Sequence, residues 1–125
     1  MRLFTDSHRG AAMVEFAILL PILLLLIMGM IEFSRAYNAQ ITLTQASREG
    51  ARVLAITGDA GKAEAAAESV AEISLDITKL NLSTTACNLE DRTSLTASYP
   101  LTYGIPFYGT ATIDLSATGV MRCGG

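Results

Sequence analysis

Residues 11–31 read AAMVEFAILLPILLLLIMGMI, and this stretch decides the fold because 18 of its 21 residues are apolar. The other 104 residues contain 45 apolar ones, an ordinary proportion for a globular domain. As an α-helix the stretch would be about 31 Å long, which is close to the hydrocarbon thickness of a bilayer. We therefore expect one membrane-spanning helix at residues 11–31, followed by a small domain.

The composition of the chain excludes several classes of protein. A length of 125 residues allows one small domain, and two cysteines are too few for a disulfide-dense scaffold. A net charge of −3 without a basic cluster argues against nucleic acid as a partner. His8 is the only histidine, and the sequence has no zinc-ligand spacing, phosphate-binding loop or nucleophile motif. We expect no enzyme activity, no catalytic residue, no metal and no cofactor.

Glu15 is an acid inside the apolar stretch and requires an explanation. A charged residue at the centre of a bilayer costs roughly 2.5–3.5 kcal/mol, and less near the headgroups. The uncharged part, residues 16–31, is bracketed by Glu15 and Glu32, so the acid could lie at headgroup level in a plain anchor. Pro21 removes a helical amide and predicts a kink, which is either harmless or eases extraction of the helix from the membrane.

The residues alone leave three interpretations of the stretch open. A secreted protein would be released after Ala36, but Ser34-Arg35-Ala36 is a poor cleavage site. A constitutively anchored periplasmic binding domain would keep its N-terminus. The third interpretation is a membrane helix whose glutamate has a function, and the polar residues 1–10, with two arginines, would then stay in the cytoplasm.

The segment that begins Gly10-Ala11-Ala12-Met13-Val14-Glu15-Phe16 and runs into the apolar stretch resembles the processing site of type IV prepilins and pseudopilins. The resemblance implies that a membrane peptidase recognises Gly10, Ala11, Glu15 and Phe16 and cuts after Gly10. Residues 1–10 would be a cleaved cytoplasmic leader. A buried carboxylate needs a cation, so the resemblance also implies that Glu15 pairs with the new amino group of Ala11 on a neighbouring subunit.

Residues 45–52, QASREGAR, resemble the signature of TadE-like proteins, the pseudopilins of the Tad apparatus that builds Flp-type pili. Residues 117–125, ATGVMRCGG, resemble the C-terminus of many members. The implied partners are the prepilin peptidase, a TadF-like pseudopilin, the major Flp pilin and inner-membrane platform proteins. The resemblance also implies that the protein crosses the bacterial inner membrane once, with its N-terminus in the cytoplasm and its C-terminal domain in the periplasm. Whether it is incorporated into the pilus stays open.

Helical periodicity continues beyond the membrane segment and predicts a periplasmic continuation of the helix over residues 32–57, ended by Gly58. Residues 60–80 predict a second amphipathic helix with a solvated acidic face. The first helix carries a seam of mostly small residues that we expect to pack against other pilin-like helices: Phe33, Ala36, Ala39, Leu43, Ala46, Gly50 and Val53.

Apolar and polar residues alternate in residues 95–102 and 110–117, which predicts an antiparallel pair of strands. Pro100 favours an edge position for the first of them. In the connection between the strands we expect partial burial of Ile105, Phe107 and Tyr108, with contact to a partner as the alternative. The fold class is therefore α+β and pilin-like, with residues 58–125 forming a small periplasmic α+β domain.

Cys87 and Cys123 both follow the membrane segment. Disulfides persist outside the inner membrane, so we expect the two cysteines to pair, with free thiols or an intermolecular link as alternatives. The bridge would contribute about 4 kcal/mol and would tie the last strand to the loop after the second helix.

Overall fold

The structure is a computed structural model that describes residues 7–124. Its long helix α1 spans Ser7–Thr57, and the shorter helix α2 spans Ala60–Ala71. A 3₁₀ turn at Ile77–Lys79 leads into three strands: β1 at Asn81–Thr85, β2 at Arg92–Ile105 and β3 at Gly109–Arg122. This arrangement confirms the predicted α+β, pilin-like class. The chain divides into two units, one up to Ser34 and one from Arg35 onward.

The first unit is the N-terminal part of α1. Its large apolar side chains between Met13 and Ile31 are 41% to 74% exposed, so no part of the described chain covers them. Helix α1 is long and apolar enough to cross a membrane, and it continues through Pro21. Exposing this much apolar surface to water would be strongly unfavourable, whereas lipid would cover it. The unit therefore fits a single-pass membrane anchor.

In the second unit, a tight reversal joins α1 to α2. Gly58 adopts a φ of +65°, and its N–H donates to the carbonyl of Leu54 at 2.8 Å, which closes the last turn of α1. The Asp59 carboxylate then caps α2 by accepting from the N–H groups of Gly61 at 2.9 Å and Lys62 at 3.3 Å. The predicted glycine stop is confirmed.

Helix α2 is shorter than predicted, because it ends at Ala71 and not near Leu80. After Ala71 the chain turns, with the N–H groups of Ser74 and Leu75 both donating to the carbonyl of Ala71. Asp76 then caps the 3₁₀ turn, since its carboxylate accepts from the hydroxyl of Thr78 at 2.7 Å and from the N–H of Thr78 at 3.1 Å. The helical spacing of residues 60–80 predicts an inner stripe of Ala63, Ala66, Val70, Ile73, Ile77 and Leu80. Ala63 is indeed buried and Val70 and Leu80 pack on the core, but Ile73 is 82% exposed. The residues of α2 that are buried form an alanine stripe: Ala63, Ala67 and Ala71.

The sheet has the order β1-β2-β3, and both pairings are antiparallel. The predicted alternation is confirmed, since Leu95, Ala97 and Leu101 are buried. The prediction that this strand lies at an edge of the sheet was wrong for the strand as a whole, because β2 is central and the unpredicted strand β1 covers its other side as far as Ser98. Pro100 is tolerated because β1 pairs with β2 only as far as Ser98, so β2 has a free edge at the proline.

A disulfide joins Cys87 to Cys123, as predicted, with their Cα atoms 6.0 Å apart. It does not reach the loop after the second helix. Cys87 follows β1 and Cys123 follows β3, so the bridge ties together the ends of the two outer strands. The two strands run in the same direction on either side of β2, which brings their last residues to one end of the sheet.

Candidate functional site

The residues predicted for processing all lie in the first turns of α1. Gly10, Ala11, Glu15 and Phe16 are exposed, and Ala11 and Glu15 stand one helical turn apart on the same face. A Cβ added at Gly10 would meet no atom within 4 Å. Glu15 has no ion-pair or hydrogen-bond partner among the described residues. The roles of these four residues in processing and docking stay predictions.

The signature at residues 45–52 lies in the middle of the second unit, where α1 meets both α2 and the sheet. Its buried residues face the core, and the hydroxyl of Ser47 is satisfied by the carbonyl of Thr44 at 3.0 Å. The remaining signature residues are exposed or half-buried, and Glu49 pairs with Arg52 at 3.3 Å near the surface. The buried set is Ala46, Ser47, Gly50 and Ala51.

Gly50 permits the close contact between α1 and α2. A Cβ at this position would lie 3.1 Å from the carbonyl oxygen of Ala63 and 3.2 Å from the Cβ of Ala67, and it would overlap the side chain of Leu95. Leu95 is fully buried and has no room to move away. A glycine in a helix interior costs about 1 kcal/mol relative to alanine, so its presence here is explained by packing.

Gly119 permits a second close contact, between β3 and α1. A Cβ at Gly119 would lie 2.6 Å from the carbonyl carbon of Ser47 and 2.8 Å from the amide nitrogen of Arg48. Further along the same tail, the N–H of Gly124 donates to the carbonyl of Ala55 at 3.3 Å. The C-terminal tail thus lies directly on the signature segment of α1, although more than 60 residues separate Ser47 from Gly119.

Sequence reasoning selected both segments but gave neither a role in the fold. The positions of two glycines could have indicated that these two segments contact each other. An isolated glycine inside a helical or strand pattern indicates close approach of another backbone, and Gly50 and Gly119 are such glycines.

The small-residue seam has a different use from the one predicted. From Ala39 onward it is mostly buried within the second unit, where Leu43 and Ala46 are fully buried and Gly50 is buried against α2 and β2. The expectation that this part packs against other pilin-like helices was therefore wrong. Phe33, at the start of the seam, is 74% exposed.

Two further predictions concern surface segments. The acidic face of α2 is solvated as expected, with Glu68 and Glu72 exposed. The predicted partial burial of the β2–β3 connection was wrong, because Phe107 is 97%, Tyr108 is 88% and Ile105 is 39% exposed.

Comparison with known protein families gives a match to the TadE-like proteins over residues 10–52. Comparisons with the curated proteins and with the solved structures give no significant match. The matched segment begins at the predicted cleavage site, includes the apolar stretch and ends with the signature that packs under α2 and β3. Residues 10–52, about a third of the chain, are therefore similar to the TadE-like proteins, and this similarity supports a TadE-like protein of the Tad pilus system.

Proposed function

We propose that this protein is a pseudopilin or minor pilin in the assembly of Tad-type (Flp) pili, and that a prepilin peptidase cuts it after Gly10. The observation that carries the proposal is the family match, which starts at Gly10 and joins the apolar stretch to the signature at residues 45–52. Membership of a pilus-associated family supports a structural role over an enzymatic one.

The contrast among the glycines of this chain supports processing at Gly10. Gly50 and Gly119 are required by close packing inside the fold, whereas a Cβ at Gly10 would meet nothing within 4 Å. A glycine in a helix that gains no packing is a net cost to stability. A peptidase that must approach the backbone closely would benefit from the missing side chain.

Glu15 then has a role once the leader is removed. Cleavage creates an α-amino group on Ala11, one helical turn from Glu15. Within one subunit the two groups lie on the same face of α1. In an assembly, the amino group of a neighbouring subunit displaced along the helix axis can pair with Glu15 and set the axial register. The exposed apolar surface of the first unit provides the contact area for such packing.

Gly29 adds to this contact surface. A Cβ at Gly29 would also meet nothing within 4 Å, so the fold of a single chain gives no reason for a glycine there. Small residues on membrane helices let neighbouring helices approach closely. We infer that Gly29 marks a point of close approach between subunits in the membrane or in the filament.

The same proposal gives the protein its location and partners. The chain crosses the inner membrane once, with residues 1–10 in the cytoplasm and the unit from Arg35 onward in the periplasm. The disulfide between Cys87 and Cys123 supports an oxidising compartment for that unit. The partners are the prepilin peptidase, a TadF-like pseudopilin, the major Flp pilin and the platform proteins of the inner membrane.

The test is the intact mass of the protein purified from membranes of cells with and without the prepilin peptidase. We expect a chain that starts at Ala11 when the peptidase is present and at Met1 when it is absent. Gly10→Ala should block the cut, whereas the matched control Gly29→Ala should not. A chain that starts at Met1 in both strains would favour a constitutively anchored periplasmic binding domain, and a chain cut after Ala36 would favour a secreted protein.

A further inference from the structure

The free end of the β2–β3 hairpin presents an apolar tip to solvent. The two strands stay paired up to Ile105 and Gly109, whereas β1 begins opposite Ser98 and covers nothing beyond it, so the last part of the hairpin is a two-stranded ribbon. Phe107 and Tyr108 at the turn are almost fully exposed. No charged residue occurs between Arg92 and Asp114. The tip is thus an uncharged, aromatic projection.

The hairpin points toward the Arg35 end of the second unit. Three contacts show its direction along α1: Gly124 bonds to Ala55, Gly119 lies on Ser47, and the side-chain amide of Gln40 donates to the carbonyl of Ser116 at 2.9 Å. From Ser116 the strand runs seven more residues to Gly109, or about 23 Å.

The corresponding distance along α1 is much shorter. Helix α1 runs five residues from Gln40 to Arg35, the first residue of the second unit, which is about 7.5 Å. The hairpin is therefore long enough to reach the Arg35 end of this unit. In the sequence, the apolar stretch ends only four residues before Arg35, at Ile31.

The backbone at the tip is strained at Phe107. Phe107 has a φ of +69°, a conformation that glycine or asparagine adopts far more easily than a bulky residue. Such a conformation is unfavourable for a bulky residue unless something compensates for it. Because Phe107 is 97% exposed, its ring gains almost no packing within the described chain. The strain therefore points to a use of the ring outside the folded unit.

We propose that the hairpin tip, residues 105–108, inserts into the headgroup region of the membrane that the apolar stretch spans. The inference rests on the proposed membrane anchoring. Aromatic side chains favour the membrane interface, and an uncharged ribbon enters it without desolvating an ionic group. The opposite end of the sheet carries the charged residues Glu90, Asp91 and Arg92, which would have to lose their hydration to enter the interface. The tip forms a second membrane contact that holds the domain against the bilayer.

The test uses the absence of tryptophan from the chain, since Phe107→Trp then supplies the only fluorophore of that kind. The full-length protein is reconstituted into phosphatidylethanolamine and phosphatidylglycerol vesicles, with or without phosphatidylcholine brominated near the carbonyl end of its acyl chains. The matched control is Leu89→Trp, because Leu89 is a fully exposed apolar residue in the loop after β1. Leu24→Trp, inside the apolar stretch, reports insertion of the anchor.

We expect brominated lipid to quench the fluorescence of Phe107→Trp and Leu24→Trp but not that of Leu89→Trp. Quenching of Leu24→Trp alone would overturn the membrane contact of the tip while leaving the anchor in place. If brominated lipid quenches neither Phe107→Trp nor Leu24→Trp, the anchor and the inference are both overturned. A third outcome is that neither brominated lipid nor acrylamide quenches Phe107→Trp. If diluting the protein with excess lipid then restores quenching by acrylamide, the tip binds another protein molecule and the inference is wrong.

Discussion

Gly119→Ala should destabilise the second unit, because the new methyl group would overlap the backbone of α1. The added Cβ would lie 2.6 Å from the carbonyl carbon of Ser47 and 2.8 Å from the amide nitrogen of Arg48. These atoms belong to a helix backbone, so neither can rotate away as a flexible side chain would. Relief requires β3 to move away from α1, which loosens the packing of the sheet on the helix.

The expected loss of stability is about 2 kcal/mol. Overpacking of a core typically costs 1–3 kcal/mol, and a backbone overlap belongs at the upper end of that range. Replacing glycine by alanine restores roughly 0.4–1 kcal/mol by restricting the unfolded chain. For a domain of this size, 1 kcal/mol corresponds to roughly 4–8 °C in Tm, so the transition should fall by about 10 °C.

Differential scanning calorimetry of the full-length protein in detergent micelles, under non-reducing conditions, measures this shift. The matched control is Gly104→Ala, a glycine of β2 in the same hairpin whose added Cβ would meet nothing within 4 Å. It should leave Tm unchanged or slightly raised. Equal Tm values for Gly119→Ala and the wild type would refute the close contact between the C-terminal tail and the signature segment.

Three further predictions follow from other parts of the chain. Glu15→Ala should leave membrane insertion intact and abolish piliation, as counted by electron microscopy, whereas normal piliation would remove the docking role without affecting the family assignment. Cys87→Ser, alone or combined with Cys123→Ser, should lower the urea-derived free energy of unfolding by about 4 kcal/mol, and a change below about 1 kcal/mol would contradict the loop-closure argument. The hydrogen bonds from the hydroxyl and then the N–H of Thr78 lower the pKa of Asp76 from its ordinary 3.8, so Thr78→Val should raise it in an NMR titration. Because the folded-state pKa of Asp76 is depressed, its stabilisation is present above pH 3.8 and is lost as the pH falls through the lowered value; an unchanged pKa in Thr78→Val would contradict this account.

The sequence sufficed for features that depend on neighbouring residues. The end of α1 at Thr57 follows from Gly58 and Asp59, which supply a left-handed turn and a cap within three positions. The buried face of β2 follows from the alternation around Leu95 and Ala97. Pairing of the cysteines was predictable from their number and from the compartment that the membrane stretch implies.

Features set by distant parts of the chain were not predictable. The apolar spacing of Ile73, Ile77 and Leu80 continues the helical pattern, but α2 ends at Ala71, and Asp76 begins a separate 3₁₀ turn through its hydrogen bonds to Thr78. Strand β1 contains a single apolar residue, Leu82, so its sequence carries little alternation and its pairing with β2 decides its conformation. The exposure of the hairpin tip depends on where β1 begins, which is likewise a property of the sheet and not of the loop.

The glycines of residues 10–52 differ in whether a close contact within the chain requires them. Gly50 has a reason within a single chain, because α2 and β2 approach too closely to admit a side chain. Gly10 and Gly29 have no such reason, although each weakens the helix that contains it. The same division holds for acids, since Asp59 caps α2 whereas Glu15 has no partner among the described residues. A residue that lowers stability without making a compensating contact in its own chain is a candidate for contact with another molecule. In this chain Gly10, Glu15 and Gly29 are such residues, and all three lie on the N-terminal part of α1. The proposed contacts with the peptidase and with the neighbouring subunit lie there as well.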